Sequence, residues 1–363
     1  MAETAVPANS RVVRYQRNFW REYIRENRFS AAMGTDERSP IQLVEDLTRN
    51  IGETVNIELI NRLVGTGVLG TNTLEGNEEA LGQRNFRITV DRTRHAVVHD
   101  RLHEQFSAID LVEAKRAVLL DWFKENVRDR IVTALGSISA NGSTHTPYEL
   151  ASATDRNTWL ANNTDRVVFG ANLGSVPANH AAGITLLDTT ADIVTATNMA
   201  LAKDVAKSAS PKVKPIRVKM DEEWYLWYMP TTLFRQAQTA LSTINQNAWE
   251  RARGESNPLF TGGDLIYDGM IIKEIPEIKP LSGTPGAGGT TKVAPSYLVG
   301  AQAIGYGIAQ RSRMISNERD YGAKKGAGIE MIDAIVKIYF GAGATDTDIP
   351  KQNGVVTAYY AFA

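Results

Sequence analysis

Residues 107–136 read SAIDLVEAKRAVLLDWFKENVRDRIVTALG, and this stretch decides the fold. Ala117, Leu120, Phe123, Val127, Ile131 and Ala134 recur at three- and four-residue steps, the spacing of one buried helical face. Ser107 is placed as the N-cap, with Asp110 three residues on reaching back toward it. Lys115, Arg116, Asp121, Lys124, Glu125, Arg128, Asp129 and Arg130 lie between the apolar positions and suit a solvated or subunit-facing side. Gly136 offers the left-handed residue that ends such helices. At 1.5 Å per residue the rod is about 40 Å long, longer than an average globular helix. With extended segments on both sides, it reads as a spine.

Working upstream, Ile41 to Leu47 reads as helical. Val55, Ile57 and Leu59 sit at strand spacing, with Leu63 after a shift of face. Phe86, Ile88 and Val90 alternate in the same way, and Ala96 to Val98 continues that run. The two strands are joined by Gly65 to Arg84, rich in Gly, Asn, Thr and Glu. Compact domains seldom keep so long a structureless connection without a task for it. A two-stranded arm lying on a partner fits.

Two motifs here carry chemistry on their face and fail on context. Gly65-Thr66-Gly67-Val68-Leu69-Gly70 has the letters of a dinucleotide fingerprint, with Asp91 near the place of a ribose partner. A nucleotide site needs a helix opening at the third glycine, and Thr71 to Glu79 has no apolar helical face. The glycines read better as turns and close backbone approaches. His95, His99 and His103 are spaced for one face of a helix and a zinc or iron site. His95, however, sits in a period-two run, where residues four apart lie about 13 Å from each other. No metal site is assigned.

The N-terminal segment carries Arg11, Arg14, Arg17, Arg21, Arg25 and Arg28 as one helical stripe. Val12, Tyr15, Phe19, Tyr23 and Ile24 fill much of the remainder. Two readings stand: an arm docking on a neighbour through guanidinium forks, or a solvated basic face packed on its own body. Docking is preferred because little precedes the arm for it to pack against.

Downstream, Ser137 to Gly183 is rich in Asn, Thr, Ser, Ala and Gly and reads as an inserted, loop-rich surface element. Ile184 to Ala209 reads as one helix, Ile216 to Met220 and Trp224 to Met229 as strands, and Pro230 to about Arg253 as a helix. The aromatics of Trp224–Met229 have no basic groove beside them, so core packing outweighs a stacking platform for single strands. Tyr267-Asp268-Gly269-Met270-Ile271-Ile272 reads as a turn into a strand. Gly283 to Gly289 lacks the lysine of a phosphate loop. Gly328 to Phe340 reads as one long strand and Tyr359 to Phe362 as a short terminal one. No nucleophile elbow, zincin motif or spaced carboxylate pair stands out, so no catalytic residue and no cofactor are assigned.

Bulk properties narrow the class. The 363 residues carry a formal net charge of −1 and are 43% hydrophobic, an ordinary folded composition able to bury a large core. A dedicated nucleic-acid binder is usually strongly basic, which this chain is not. Cysteine is absent, which removes disulfides and thiol chemistry. No apolar run is long enough to span a bilayer and no signal-type segment follows Met1, so a cytosol is the expected place of folding and no membrane partner is expected.

The order of parts then resembles the HK97-type fold of tailed-phage major capsid proteins, an α+β fold. The resemblance narrows at Gly65-Thr66-Gly67-Val68 through Leu74-Glu75-Gly76-Asn77-Glu78-Glu79-Ala80-Leu81, and at Arg94-His95-Ala96-Val97. These are similar to the N4-like major capsid family, as are Asp110-Leu111 to Trp122 and Asn257-Pro258-Leu259-Phe260-Thr261-Gly262 to Tyr267-Asp268-Gly269. It spans about residues 50–135 and 220–340. It implies an N-terminal arm at 1–40 and a peripheral domain at 41–136 and 311–363. That domain includes the extended loop (E-loop) 60–86 and the spine helix 107–135. A loop-rich insertion at 137–183 and an axial domain at 184–310 complete the chain.

The resemblance implies a shell subunit forming pentamers and hexamers of itself, assembled in a bacterial host cytoplasm into an icosahedral virion capsid. Portal, scaffolding and decoration proteins are implied partners, and double-stranded DNA would be contacted non-specifically. A near-neutral chain suits that, because each cation on phosphate adds salt-sensitive affinity. The extended loop lacks apolar residues for a core of its own and needs a partner to order it. Subunit contacts are placed at Arg11, Arg14, Arg17, Arg21, Arg25, Arg28, Gly65, Gly67, Gly70, Glu75, Glu78, Glu79 and Arg84, with the glutamates meeting a neighbour's arginine stripe. Residues 60–86 contain no lysine, so lysine crosslinking through the loop is not expected. The rival readings are a cargo-enclosing bacterial nanocompartment and a nucleotide-dependent enzyme using Gly65–Gly70.

Overall fold

The structure is a computed structural model and describes residues 28–45, 52–60, 63, 65–79, 81–219, 222–247, 264–340 and 349–362. Two compact units result. The smaller takes its described residues from 91–127 and 310–332, the larger from 28–90, 128–309 and 333–363.

In the smaller unit three strands lie side by side, in the order Ile304–Arg319, Lys324–Lys337 and Asp91–Asp100. The first two continue into the larger unit, as does the helix Leu111–Gly136. Leu119 of that helix is fully buried with Ala327 and Ile329, and Val97, Trp122 and Phe123 close around them. The helix begins four residues later than the sequence reading has it. Asp110 is the cap, its Oδ1 accepting from the backbone N–H of Val112 at 2.8 Å and of Glu113 at 3.2 Å. Ser107 instead ends a short helix, Arg101–Phe106, by donating its N–H to the His103 carbonyl. The inward residue of the third turn is Leu119, and Leu120 is 46% exposed.

The larger unit is built on an eight-stranded sheet. Its main path runs Leu265–Tyr267, Met270–Glu274, Glu222–Met229, Lys292–Val299, Val355–Phe362, Val167–Phe169 and Asn172–Leu173, and Arg217–Lys219 pairs beside Glu222–Met229. Val355–Phe362 is not a short terminal strand. It pairs antiparallel with Lys292–Val299 over eight residues, and Thr357–Tyr359 pair parallel with Val167–Phe169. Every one of its side chains is buried. Alternate residues feed two cores: Val356, Ala358, Tyr360 and Phe362 pack with the helices Ala196–Ser208 and Thr231–Asn247, through Met199, Val205, Phe234 and Leu241. Tyr359 and Ala361 pack on the other face with Trp159, Phe169, Ile184 and Tyr339. Tyr225, Trp227 and Tyr228 are buried, as core packing requires.

Other segments depart from the sequence reading. Ile41–Val44 is a strand, pairing parallel with Ile304–Gly307. Ile184 to Ala209 is two helices, His180–Thr185 and Ala196–Ser208, the second capped by Thr195. Residues 137–183 are rich in turns and irregular backbone, but they are not surface alone. They contain the helix Ala153–Asn162, and Trp159, Arg166, Val167 and Val168 are buried. Gly136 is helical and has no positive φ. A Cβ there would come to 3.0 Å from the Tyr297 hydroxyl. The turn at Asp268-Gly269 is as read, with φ of 45° and 72° between paired strands.

Candidate assembly surfaces

The strands Thr54–Ile60 and Gln83–Thr89 pair antiparallel in full register, from Thr54 opposite Thr89 to Ile60 opposite Gln83. Val55, Phe86 and Ile88 are buried at the base, and Gly305 is so close beneath that a Cβ would lie 2.5 Å from Ile88 Cδ1. Toward the tip this protection ends. Ile60, Leu63, Leu74 and Leu81 are exposed, and Leu69 is 81% exposed. Five exposed apolar side chains within residues 60–81 make this loop a candidate for a surface that a partner covers.

Among the described residues 65–82 no helix is present, so the geometry of a nucleotide turn is missing. Gly67, Gly70 and Gly76 have φ of 71°, 73° and 86°, backbone that side-chain-bearing residues rarely adopt. The loop is partly self-ordered. Gly65 donates its N–H to Glu79 Oε2 and Gly76 donates to Glu78 Oε2, both at 2.7 Å. Asn77 Nδ2 donates to the Thr73 carbonyl at 3.0 Å. Two of the three loop glutamates therefore have partners within the loop. Arg84 is half-buried opposite Leu59 at the tip end of the hairpin. Of the arginine stripe, Arg28 donates to the Glu274 carbonyl at 2.8 Å. Arg11, Arg14, Arg17, Arg21 and Arg25 lie outside the described residues.

A second surface belongs to the smaller unit. Ala96, Val98, Ile315, Gly326 and Gly328 line a shallow groove of about 510 Å³, rimmed by Arg94, Arg319 and Lys324. Glu330 also lines it, and Arg313 pairs with Glu330 at 3.1 Å. His95 and His99 form no cluster: the His95 ring sits 4.6 Å from Trp122, and His99 Nε2 lies 3.7 Å from Glu104. Among the described residues no group of three His, Asp or Glu is placed to hold a metal ion.

Three titratable groups with strongly shifted pKa lie in the interior. The His180 ring is enclosed by Tyr148, Trp159, Phe169 and Tyr359, with centroids 5.4 to 5.9 Å away. Burial first, and then the Arg156 charge, push its pKa down to about 4. His145 lies between Phe86 and Tyr339 and is held at about 4 by burial and the Lys337 charge. Burial alone brings Lys337 down to about 7, while it donates to the Ser137 carbonyl at 2.7 Å. His145 and Lys337 are packed in the protein, and the buried His180 borders a cleft of about 490 Å³ with Tyr148, Arg156 and Thr185. Sequence reasoning missed the loop leucines and the glycine-floored groove. The leucines' lack of any periodic apolar partner was the available signal; the groove needed a strand pairing that no local pattern reveals.

A family model described as phage capsid protein matches residues 3–363. The major capsid protein of Pseudomonas phage KPP25 is 29% identical over 357 residues, covering 94% of this chain and 93% of that one. Among solved structures, the capsid asymmetric unit of cyanophage Pam1 superposes with a TM-score of 0.89 at 31% identity, covering 99% of both chains. The capsid of Ralstonia phage GP4 shares the fold, with a TM-score of 0.74 at 21% identity over 100% of this chain and 99% of that one.

Proposed function

The chain belongs to the phage capsid protein family, and from that premise we propose how it works as a major capsid protein: its copies close an icosahedral shell by exchanging the extended loop between neighbours. Pentamers and hexamers of this one chain enclose the double-stranded DNA of a tailed phage and are assembled in the bacterial host cytoplasm. Residues 1–40 serve as the arm, the smaller unit with its described residues at 91–127 and 310–332 as the peripheral part, and 184–309 as the axial part that meets its copies around the symmetry axes. The expected peripheral bounds 41–136 and 311–363 are not kept, because Val355–Phe362 pairs with Lys292–Val299. Portal, scaffolding and decoration proteins are the expected further partners. The protein acts by binding its own copies and not by catalysis.

One observation carries this reading: a hairpin anchored at its base by Val55, Phe86 and Ile88 ends in a loop whose leucines have no cover. Burying one such side chain against a neighbour is worth about 1.5–3 kcal/mol, and a closed shell repeats the contact at every subunit. Glu75 is exposed on the same loop. The neighbour's arginine stripe, or the rim cations Arg94, Arg319 and Lys324, would receive it. At 0.1 M salt, exposed pairs of this kind steer and register the contact more than they strengthen it.

The test is to replace residues 61–82 by Asn-Gly, which joins Ile60 to Gln83 through a two-residue turn suited to the register. The expected product is a folded subunit with the wild-type circular dichroism spectrum that no longer forms shells. Normal shells from this variant would overturn the loop-exchange reading.

A further inference from the structure

The strands Ile304–Arg319 and Lys324–Lys337 are joined by a tight turn that contains Tyr321, and this residue is out of place there. Asp320, Tyr321 and Gly322 have φ of 58°, 50° and 90° in succession. The Ala323 N–H closes the turn on the Asp320 carbonyl at 2.9 Å. Positive φ at the two central positions is the mirror-image turn of tight hairpins, where Asn, Asp and Gly are favoured and a bulky aromatic is disfavoured. The turn is held in place, because the Arg101 N–H donates to the Ala323 carbonyl at 2.7 Å.

Among the described residues nothing covers the side chain that sits on this backbone. Tyr321 is 109% exposed, as open as in an extended peptide. Every residue from Arg311 to Tyr321 is exposed, with Met314 and Ile315 at 39% and Tyr321 fully open. A large exposed ring, on a hydrogen-bonded turn whose backbone would be better served by asparagine, points to a use outside the subunit. Tyrosine is among the residues that dominate protein interfaces, since it brings much contact area and loses little conformational freedom.

The charges around the tip select the kind of partner. Glu318 and Asp320 stand beside Arg319 and Lys324, a balanced set. A phosphate clamp would leave out the carboxylates, so the tip is poorly suited to packaged DNA. It suits an apolar slot with a mixed polar rim on a protein.

We propose that Tyr321 is an aromatic anchor that inserts into a neighbouring copy of this chain, and that the turn keeps its strained backbone for the sake of that contact. The proposal rests on the shell-subunit reading, and it is independent of the extended loop.

The experiment compares Tyr321→Asn, Tyr321→Gly and Tyr321→Phe with wild type, each expressed with the same head proteins. Thermal unfolding of the unassembled subunit and the protein concentration needed for shell formation are both measured. Asparagine and glycine accept the backbone, so Tyr321→Asn is expected to melt no lower than wild type. It is nevertheless expected to need about tenfold more protein to assemble, the loss typical of one interface anchor. Tyr321→Phe keeps the ring and should assemble within about threefold of wild type. Assembly of Tyr321→Asn at the wild-type concentration overturns the proposal. So does a fall in subunit melting that matches the loss of assembly, or normal shells with reduced DNA content. If the wild type itself forms no shells, the shell-subunit reading fails, and that outcome is distinguishable from failure of the anchor.

Discussion

Lowering the pH from 7 to 4 should destabilise the unassembled subunit through His180. In the folded protein its ring lies in an aromatic enclosure beside Arg156, and its pKa is held down at about 4. Its Nε2 is buried without a hydrogen-bond partner. In the unfolded chain the imidazole returns to about 6.5. Above pH 6.5 both states are neutral at this position and the full stability is present. As the pH falls through 6.5 the unfolded chain takes up a proton that the folded one refuses, so unfolding is favoured, and the loss is complete near pH 4. The gap between the two values corresponds to about 3 kcal/mol, a large share of an ordinary domain's stability. The assay is guanidinium unfolding at half-unit steps between pH 4 and 7, on wild type and on His180→Phe. Carboxylates and His145 titrate in both proteins, so the quantity of interest is the difference between the two pH profiles. It should approach 3 kcal/mol by pH 4. Parallel profiles would refute the argument.

Two further outcomes follow from contacts within single units. Asp333, fully buried at its carboxylate, accepts from Arg130 Nη1 at 2.8 Å on both oxygens. Asp333→Ala should cost about 2–3 kcal/mol in chemical denaturation, since a partly buried guanidinium loses its counter-charge; a loss under 1 kcal/mol would show the pair to be dispensable. Asp110→Ala removes the cap of the long helix and should cost about 1 kcal/mol. The same change at Ser107 should cost less than half as much, and the reverse order would contradict the cap assignment.

Much of the architecture is legible in the sequence because its signals are local. The period of the long helix, the alternation at Val55-Ile57-Leu59 and Phe86-Ile88, and the turn at Asp268-Gly269 all depend on neighbours in the chain. The misreadings fall where distant partners decide. Ile41, Val44 and Leu47 have helical spacing, yet parallel pairing with Ile304–Gly307 makes Ile41–Val44 a strand. Residues 137–183 look like surface because their polar side chains serve buried backbone. Asn163 Oδ1 accepts from the Gln352 N–H at 2.9 Å, and its Nδ2 donates to the Trp159 carbonyl at 2.9 Å. Leu119 and Leu120 lie about 100° apart around the helix, and the packing of Ala327 and Ile329 decides that Leu119 is the one turned inward. Of the candidate assembly surfaces, the loop is legible in the sequence as a long connection between two paired strands. Tyr321 is not, because its exposure and its positive φ belong to three dimensions alone.

The most direct measurement is electron microscopy of the purified protein, or of the particles it comes from, alongside its sedimentation. The account predicts closed shells tens of nanometres across, or flat rings of five and six subunits, built from this chain. A homogeneous monomer or dimer that persists in the presence of the other head proteins would contradict it.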